Sequence, residues 1–534
     1  MNFYQLEQFI ADAMQAAKVP GASVAVILNN EVVYARGFGV TSVEDGGLPC
    51  TPATLFRIGS TSKPLTTAAI MRLVEQGVLE LDTSIDELLP DLQLSEPGAI
   101  QQVTLRKLLS HQAALPTAAE HWGSREPVGL RESVYTDIAG YRLIAPVGKI
   151  WSYSNPGINL AGYIAEAASG KPYTQLMQEL VFDPLAMQRT TFDPLIAMTY
   201  PMAQSHDLDE SGALRVQHRF ADNTKHYPSG FVISTVLDLA NFAIMLMSGG
   251  MFNGQRVLAA ESVAEMQKPQ AKFLSLNGDG YGLTLSSHDY KGLRRVGHGG
   301  RISTFASLFE LIPERGAGVI VLANRAAEWG AQEERIARYV FDHLLDLPAS
   351  VPAPQTRPAN PADWPRLTGT YVGLTTGLAT VSAENDTLML EWEGAKHPLQ
   401  AVRDDLYVAQ IPNHDDPFTV GFMFEGDAPA EYLTVLPIPG HSIALQRLAL
   451  DDAYQPDPAS WAAYTGTYTD GTFSFEVLIE DGELRVKSSL FPAALPARDI
   501  GAHRFLLPLG LISFDQPDTL RLGTSMCFNR KMEK

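Results

Sequence analysis

Phe56-Arg57-Ile58-Gly59-Ser60-Thr61-Ser62-Lys63-Pro64 lies between a strand-like run and the apolar helical run Leu65 to Val78. Ser60 and Lys63 are three residues apart, a spacing that puts both side chains on one helix face and within contact. A proline is tolerated only in the first turn of a helix, where its missing N–H would be unpaired anyway. Pro64 therefore places the helix start near Ser60. Free N–H groups there favour negative charge, such as the oxyanion of an acyl transfer. A serine hydroxyl attacks only when something removes its proton. A lysine held in an apolar wall can do so, because burial disfavours its charged form. The same four residues also describe an ordinary serine-capped helix start, so the rest of the chain has to supply partners.

Two later stretches offer them. Pro146-Val147-Gly148-Lys149-Ile150-Trp151-Ser152-Tyr153-Ser154-Asn155 carries a phenol that could accept the serine proton and return it to a leaving group. Its ordinary pKa near 10 has to be lowered by a cation such as Lys63. Asn155 adds an amide able to orient Lys63 or a substrate carbonyl. Taken singly, Tyr153 reads as a half-buried core residue and Asn155 as a turn residue. Val296-Gly297-His298-Gly299-Gly300-Arg301 reads as the end of a strand crowded with glycine, which lets a substrate backbone approach closely. The N–H following Gly300 could pair with that of Ser60 as a two-donor oxyanion hole. As a dinucleotide site the stretch fails, since it lacks G-x-G-x-x-G spacing and a following helix.

Ser60-x-x-Lys63, Tyr153-x-Asn155 and His298-x-Gly300, in this order and at these distances, resemble the class C β-lactamase-like serine hydrolases. That family includes penicillin-binding DD-peptidases, D-aminopeptidases and esterases. Leu108-Leu109-Ser110-His111, Pro184-Leu185-Ala186-Met187 and Ser234 to Asp238 look familial too. The resemblance spans roughly residues 5 to 345. It implies an α/β fold, an antiparallel sheet flanked by helices plus an all-helical lobe. It implies Ser60 as acylated nucleophile, with Lys63 and Tyr153 sharing general-base work in an order left open. Asn155, His298, Gly299, Gly300 and Arg301 would bind substrate, with the backbone N–H groups of Ser60 and Arg301 as the oxyanion hole. The family's third motif often begins with lysine. Here a titratable ring, His298, replaces that fixed charge, which speaks against strong β-lactamase action. Arg301 would restore the charge if its side chain points inward. A penicillin-binding or ligand-sensing protein with slow turnover is the competing implication.

Outside the motifs, the 534-residue chain is acidic, with 40 Lys+Arg against 60 Asp+Glu. A nucleic-acid binder would need a basic face. The two cysteines, Cys50 and Cys527, make no disulfide framework. No run is long enough to span a membrane, and no zinc pattern is present, so no cofactor or metal is expected. The first residues lack a basic start and an unbroken apolar core, so a signal peptide is not expected and a cytoplasmic location is.

Ala22 to Leu28 and Glu31 to Gly37 read as a hairpin across Asn29-Asn30. With later strands at Tyr281–Ser287, Arg294–Gly297, Phe305–Ile312 and Gly318–Ala323 they would form one sheet, closed by a helix from Gln332 to Leu345. This gives a hydrolase domain over 1–346. Residues 347–365, rich in proline and alanine, read as a linker. Beyond it, short alternating strands carry a faint repeat. Leu367-Thr368-Gly369-Thr370-Tyr371 matches Tyr464-Thr465-Gly466-Thr467-Tyr468, each preceded by a Trp (Trp364, Trp461). Two lipocalin-like β-barrels, 366–450 and 458–534, are expected, with one larger barrel as the competitor. By resemblance such barrels shape or gate the site for a small-molecule or short-peptide substrate. The bland alternative is that they mediate self-association into a homo-oligomer.

Overall fold

The computed structural model describes residues 2–117, 129–326, 331–348, 352–374, 377–412, 417–438, 440–451, 453–469, 473–488, 491–523 and 526–531. Helix α1 (Phe3–Ala16) leads into strands β1 (Gly21–Leu28) and β2 (Glu31–Gly39). The second lobe includes helices α2 (Ser62–Glu75) and α3 (Asn155–Ser169), and α4 (Val236–Met247) follows. The chain then lays down β3 (Ala271–Lys272), β4 (Gly280–Tyr281), β5 (Ser286–Tyr290), β6 (Leu293–Ile302), β7 (Phe305–Ile312) and β8 (Ala317–Ala323). Helix α5 (Ala331–Leu344) closes the domain. The sheet runs β2-β1-β8-β7-β6-β5-β4-β3, antiparallel throughout.

Period-two alternation decides its layers. Val24, Val26, Val319 and Val321 join Leu6 and Ile10 of α1 and Val340 and Phe341 of α5 in one core. Ala25, Ile27, Ile320 and Leu322 face the other way, onto α4 and the α2 lobe. Helix starts carry side-chain caps: Thr104 accepts from Lys107 N, Ser154 from Gly157 N and Thr235 from Asp238 N.

Four details differ from the sequence expectation. Ser60 belongs to a single 3-10 turn, Gly59–Thr61, and the α-helix proper starts at Ser62. The strand expected at Tyr281–Ser287 is broken. Between β4 and β5 the Thr284 N–H reaches Leu109 O and its hydroxyl meets Thr67 Oγ1 at 2.6 Å, so this stretch packs onto the helical lobe. The glycine-rich motif does not end its strand. β6 runs through it to Ile302, because β7 pairs with it along its whole length. The second half of the proline-rich stretch belongs to the next sheet, where Arg357–Pro358 pairs with Gln400–Arg403 as an edge, the position a strand proline tolerates.

Two further sheets follow, of ten and nine strands, each with its own core. In each, consecutive chain links one end of the sheet to the other side, to the end strand in the nine-stranded sheet and to the strand beside the edge in the ten-stranded one. Ala395–Pro398 runs through Leu399 into Gln400–Arg403, and Phe491–Pro496 runs through Ala497 into Arg498–Asp499. Curling of this kind hides strand edges. The repeated motif has one job in both sheets. Tyr371 OH donates to Leu367 O while Arg447 caps Arg366 O and Thr368 O. Tyr468 OH donates to Tyr464 O while Arg530 caps Thr465 O. Among the described residues no helix is long and apolar enough to cross a membrane.

Candidate active site

The helix that follows Ser60 is tied down at its start. Ser62 Oγ donates to Gly59 O and accepts from Val232 N, and Thr66 Oγ1 donates to Pro228 O. Lys63 is fully buried there. Its Nζ lies 2.8 Å from Ser60 Oγ and 2.6 Å from Ser229 O, and 4.8 Å from the Tyr153 ring centroid. The structure thus brings Ser60, Lys63 and Tyr153 together, and adds a carbonyl, Ser229 O, that the sequence did not single out. Tyr153 precedes the α3 cap, and its backbone carbonyl accepts from Thr117 Oγ1. Asn155 is the first residue of α3, and its side-chain Oδ1 is buried with no hydrogen-bond partner among the described residues.

Strand β6 runs alongside this helix start. A Cβ on Gly300 would lie 2.0 Å from Ile58 O and 2.9 Å from Ser60 N, and one on Gly59 would lie 2.5 Å from Arg301 N. Only glycine permits that approach. Ile302 and Phe305 close a two-residue turn, so Arg301 faces Ala306 across a non-hydrogen-bonded pair. Its N–H therefore points away from β7, off an edge that β5 has already left at Gly297. Two backbone N–H groups, those of Ser60 and Arg301, are neighbours. Gly299 and Gly300 lie between His298 and Arg301 on the same strand.

The Arg301 side chain takes the opposite course from the one considered for it. The pleat turns it to the α5 face, where it pairs with the buried Glu333. At the other end of β6, Arg295 is held by Glu310 (2.9 Å) and Glu334 (2.6 Å). These ion pairs fix the strand against α5 and place no arginine charge at Ser60.

His298 is not a switchable charge either. Its Nε2 lies 3.0 Å from Tyr281 OH and its Nδ1 bonds Gly299 O. Since a carbonyl only accepts, Nδ1 carries the hydrogen and Nε2 accepts from the phenol. Burial, and then Lys63, hold the ring down at about 3. His111 lies beneath, its Nδ1 accepting from Ser154 N, and burial and Lys63 keep it well below the ordinary range. The rings of Trp151, Tyr153 and Tyr281 surround it.

The first curled sheet completes the wall. Its strands β9 (Phe418–Met423), β10 (Tyr432–Ile438) and β11 (His441–Arg447) face the N-terminal domain. Leu436 packs with Trp151, Phe273 and Tyr281. The His441 ring lies 4.9 Å from Trp151 and 5.4 Å from Tyr153. Lys149 pairs with Glu425 at 2.7 Å. An interdomain cavity of about 450 Å³ lies beside this contact, lined by Trp151, Phe273, Met423, Thr434 and Ser442 among others. Sequence reasoning missed His441. A histidine in a β-rich tail carries no mark of a site formed by residues 60–301.

The Beta-lactamase family model matches residues 6–341. Penicillin-binding protein 4 of Amycolatopsis lactamdurans is 28% identical over 369 residues, covering 66% of this chain and 93% of its own. The octameric penicillin-binding protein homologue from Pyrococcus abyssi superposes with a TM-score of 0.58 at 25% identity, over 84% of this chain and all of that one. The D-amino acid amidase from Ochrobactrum anthropi SV3, complexed with L-phenylalanine, gives 0.54 at 23% identity, over 64% of this chain and 99% of its own.

Proposed function

The chain belongs to the Beta-lactamase family of serine hydrolases, and from that premise we propose that it forms an acyl-enzyme at Ser60 with small amides or esters. The observation that carries this reading is the 2.8 Å contact between Ser60 Oγ and a fully buried Lys63. Ser60 Oγ attacks the acyl carbon as its proton passes to the Lys63–Tyr153 pair. The carbonyl oxygen becomes an oxyanion between the N–H groups of Ser60 and Arg301. The bond to the leaving group then breaks, and the leaving nitrogen or oxygen takes the proton. Water adds to the ester by the reverse route and frees the acid. Preorganised donors of this kind contribute roughly 10²–10³ in rate each. Asn155, with an unpaired buried oxygen, is assigned to the substrate or to Lys63.

Substrate class follows from the third motif. With His298 neutral and Arg301 turned to Glu333, neither of those side chains offers a fixed cation for a substrate carboxylate. Short acyl esters and D-residue amides or peptides suit it better than β-lactams. The amidase named among the similar structures supports the amide branch. The barrel contact at His441 supports a role for the tail in narrowing the site. Self-association is carried over from the octameric Pyrococcus protein and is tested by light scattering.

A second reading, a penicillin-binding protein with slow turnover, is favoured by the Amycolatopsis relative. Mass spectrometry after a fluorophosphonate probe, with steady-state rates on p-nitrophenyl acetate, D-Ala-p-nitroanilide and nitrocefin, separates the two. Modification of Ser60 with sustained turnover of the first two supports hydrolysis. A burst without release supports the second reading, and an unmodified Ser60 rejects both.

A further inference from the structure

We propose that His441, supplied by the first curled sheet, is a substrate-binding residue that holds the leaving-group side of a peptide-like substrate through a neutral hydrogen bond. This rests on the acyl-enzyme reading above and assigns the tail a residue rather than a general shape.

Three observations point to it. The imidazole sits on the phenol side of the site, 5.4 Å from Tyr153 and edge-on to Trp151 at 4.9 Å. In the reaction as proposed, that side is where the departing nitrogen collects its proton. Second, both ring nitrogens of His298 are engaged, by Tyr281 OH and Gly299 O, while His111 bonds Ser154 N through Nδ1 and its other nitrogen is sealed from solvent. Neither ring nitrogen of His441 has a hydrogen-bond partner among the described residues, and neither is sealed from solvent. Third, the ring is aimed. Ile438 pairs with His441, and Gly440, at φ +74°, lies so close to Ser286 that a Cβ would fall 2.4 Å from the serine Cβ. The barrel hairpin is thereby seated on β5, beside β6 and the oxyanion donors.

Burial, and then Lys63, hold His441 at about 4, so at neutral pH it offers one donor and one acceptor and no charge. It fits an amide N–H or C=O on the leaving group, not a carboxylate. The interdomain cavity beyond Trp151 provides room for the chain that follows such an amide.

The test compares two substrates with one acyl group, D-Ala-glycinamide and D-Ala-p-nitroanilide, in full-length wild type, His441→Phe and His441→Asn. Phenylalanine keeps the ring packing and removes the hydrogen bond, while asparagine restores a donor and an acceptor. Losing one hydrogen bond to a neutral group should lower kcat/KM for D-Ala-glycinamide about tenfold more than for D-Ala-p-nitroanilide in the Phe variant, chiefly through KM. The Asn variant should recover most of that difference. A ratio of the two constants that moves less than twofold in the Phe variant overturns the assignment. So does an Asn variant no better than Phe, or a wild type that turns over only the anilide. Wild type that a fluorophosphonate leaves unlabelled at Ser60 would instead sink the acyl-enzyme reading.

Discussion

The carbonyl oxygen of Ser229 receives a hydrogen bond of 2.6 Å from Lys63 Nζ, the same amine that contacts Ser60 Oγ. A backbone carbonyl thus fixes where the amine points. A neutral amine can give one hydrogen to Ser229 and still turn its lone pair to the serine hydroxyl. Lys63→Met keeps the length and apolar character of the stem but removes the base. Fluorophosphonate labelling of Ser60 should slow by roughly 10²–10⁴ with little change in melting temperature. Labelling at the wild-type rate would show that the amine does no proton transfer.

Gly300 sets the distance between β6 and the nucleophile. In Gly300→Ala the methyl group meets Ile58 O at 2.0 Å and Ser60 N at 2.9 Å, both backbone atoms that cannot swing aside. The strand has to retreat, taking Arg301 N–H with it. Turnover of p-nitrophenyl acetate should fall by roughly 10²–10³ in kcat, the effect of losing an oxyanion donor. KM should change much less, because ground-state contacts depend less on that donor. Circular dichroism on the variant separates this from misfolding.

Much of this was legible in the chain before any coordinates. The apolar, β-branched runs Ala22–Leu28 and Gly318–Ala323 read as strands, and Ser-x-x-Lys spacing puts Ser60 and Lys63 together on one helix start. Such features are local, and local chemistry decides them. The direction of Arg301 was not legible, since it depends on ladder parity counted from a turn at Ser303-Thr304. The neutrality of His298 was not legible either, because it follows from burial and from Lys63, a residue far away in the chain, and its tautomer from a phenol seventeen residues earlier. His441 depends on how a separate sheet docks, and no spacing within one motif encodes docking.

Acid should weaken the catalytic domain through its neutral histidines. His298 is held near 3 by burial first and Lys63 second, against an ordinary value near 6.5. Its folded pKa is depressed, so the unfolded chain binds the proton more readily. The stability it contributes is complete above about pH 6.5 and is lost as pH falls through about 6.5 toward 3. At pH 5 that amounts to about 2 kcal/mol. His298→Gln, which takes no proton, should flatten the fall in melting temperature between pH 7 and pH 5. The pH–rate profile should show no limb from His298 between pH 5 and pH 8. An equal slope in variant and wild type would refute the assignment of a neutral, buried ring.

The same burial predicts what happens if the lysine common in the family's third motif is put back. In His298→Lys an ammonium would enter a space shared with Lys63, whose proximity already depresses His298 and His111. Tyr281 OH would lose the ring nitrogen that accepts its hydrogen. No carboxylate among the described residues bonds to that nitrogen's position, and Glu333 is already committed to Arg301 on the far face. An uncompensated buried charge typically costs about 3–5 kcal/mol. The new side chain therefore either stays neutral or destabilises the fold, and neither outcome gives a fixed cation for a β-lactam carboxylate. The variant should melt at a lower temperature than wild type and hydrolyse nitrocefin no faster. A stable variant with a tenfold gain on nitrocefin would mean that the pocket can pair a charge at this position. The preference for uncharged acyl substrates would then have to be abandoned.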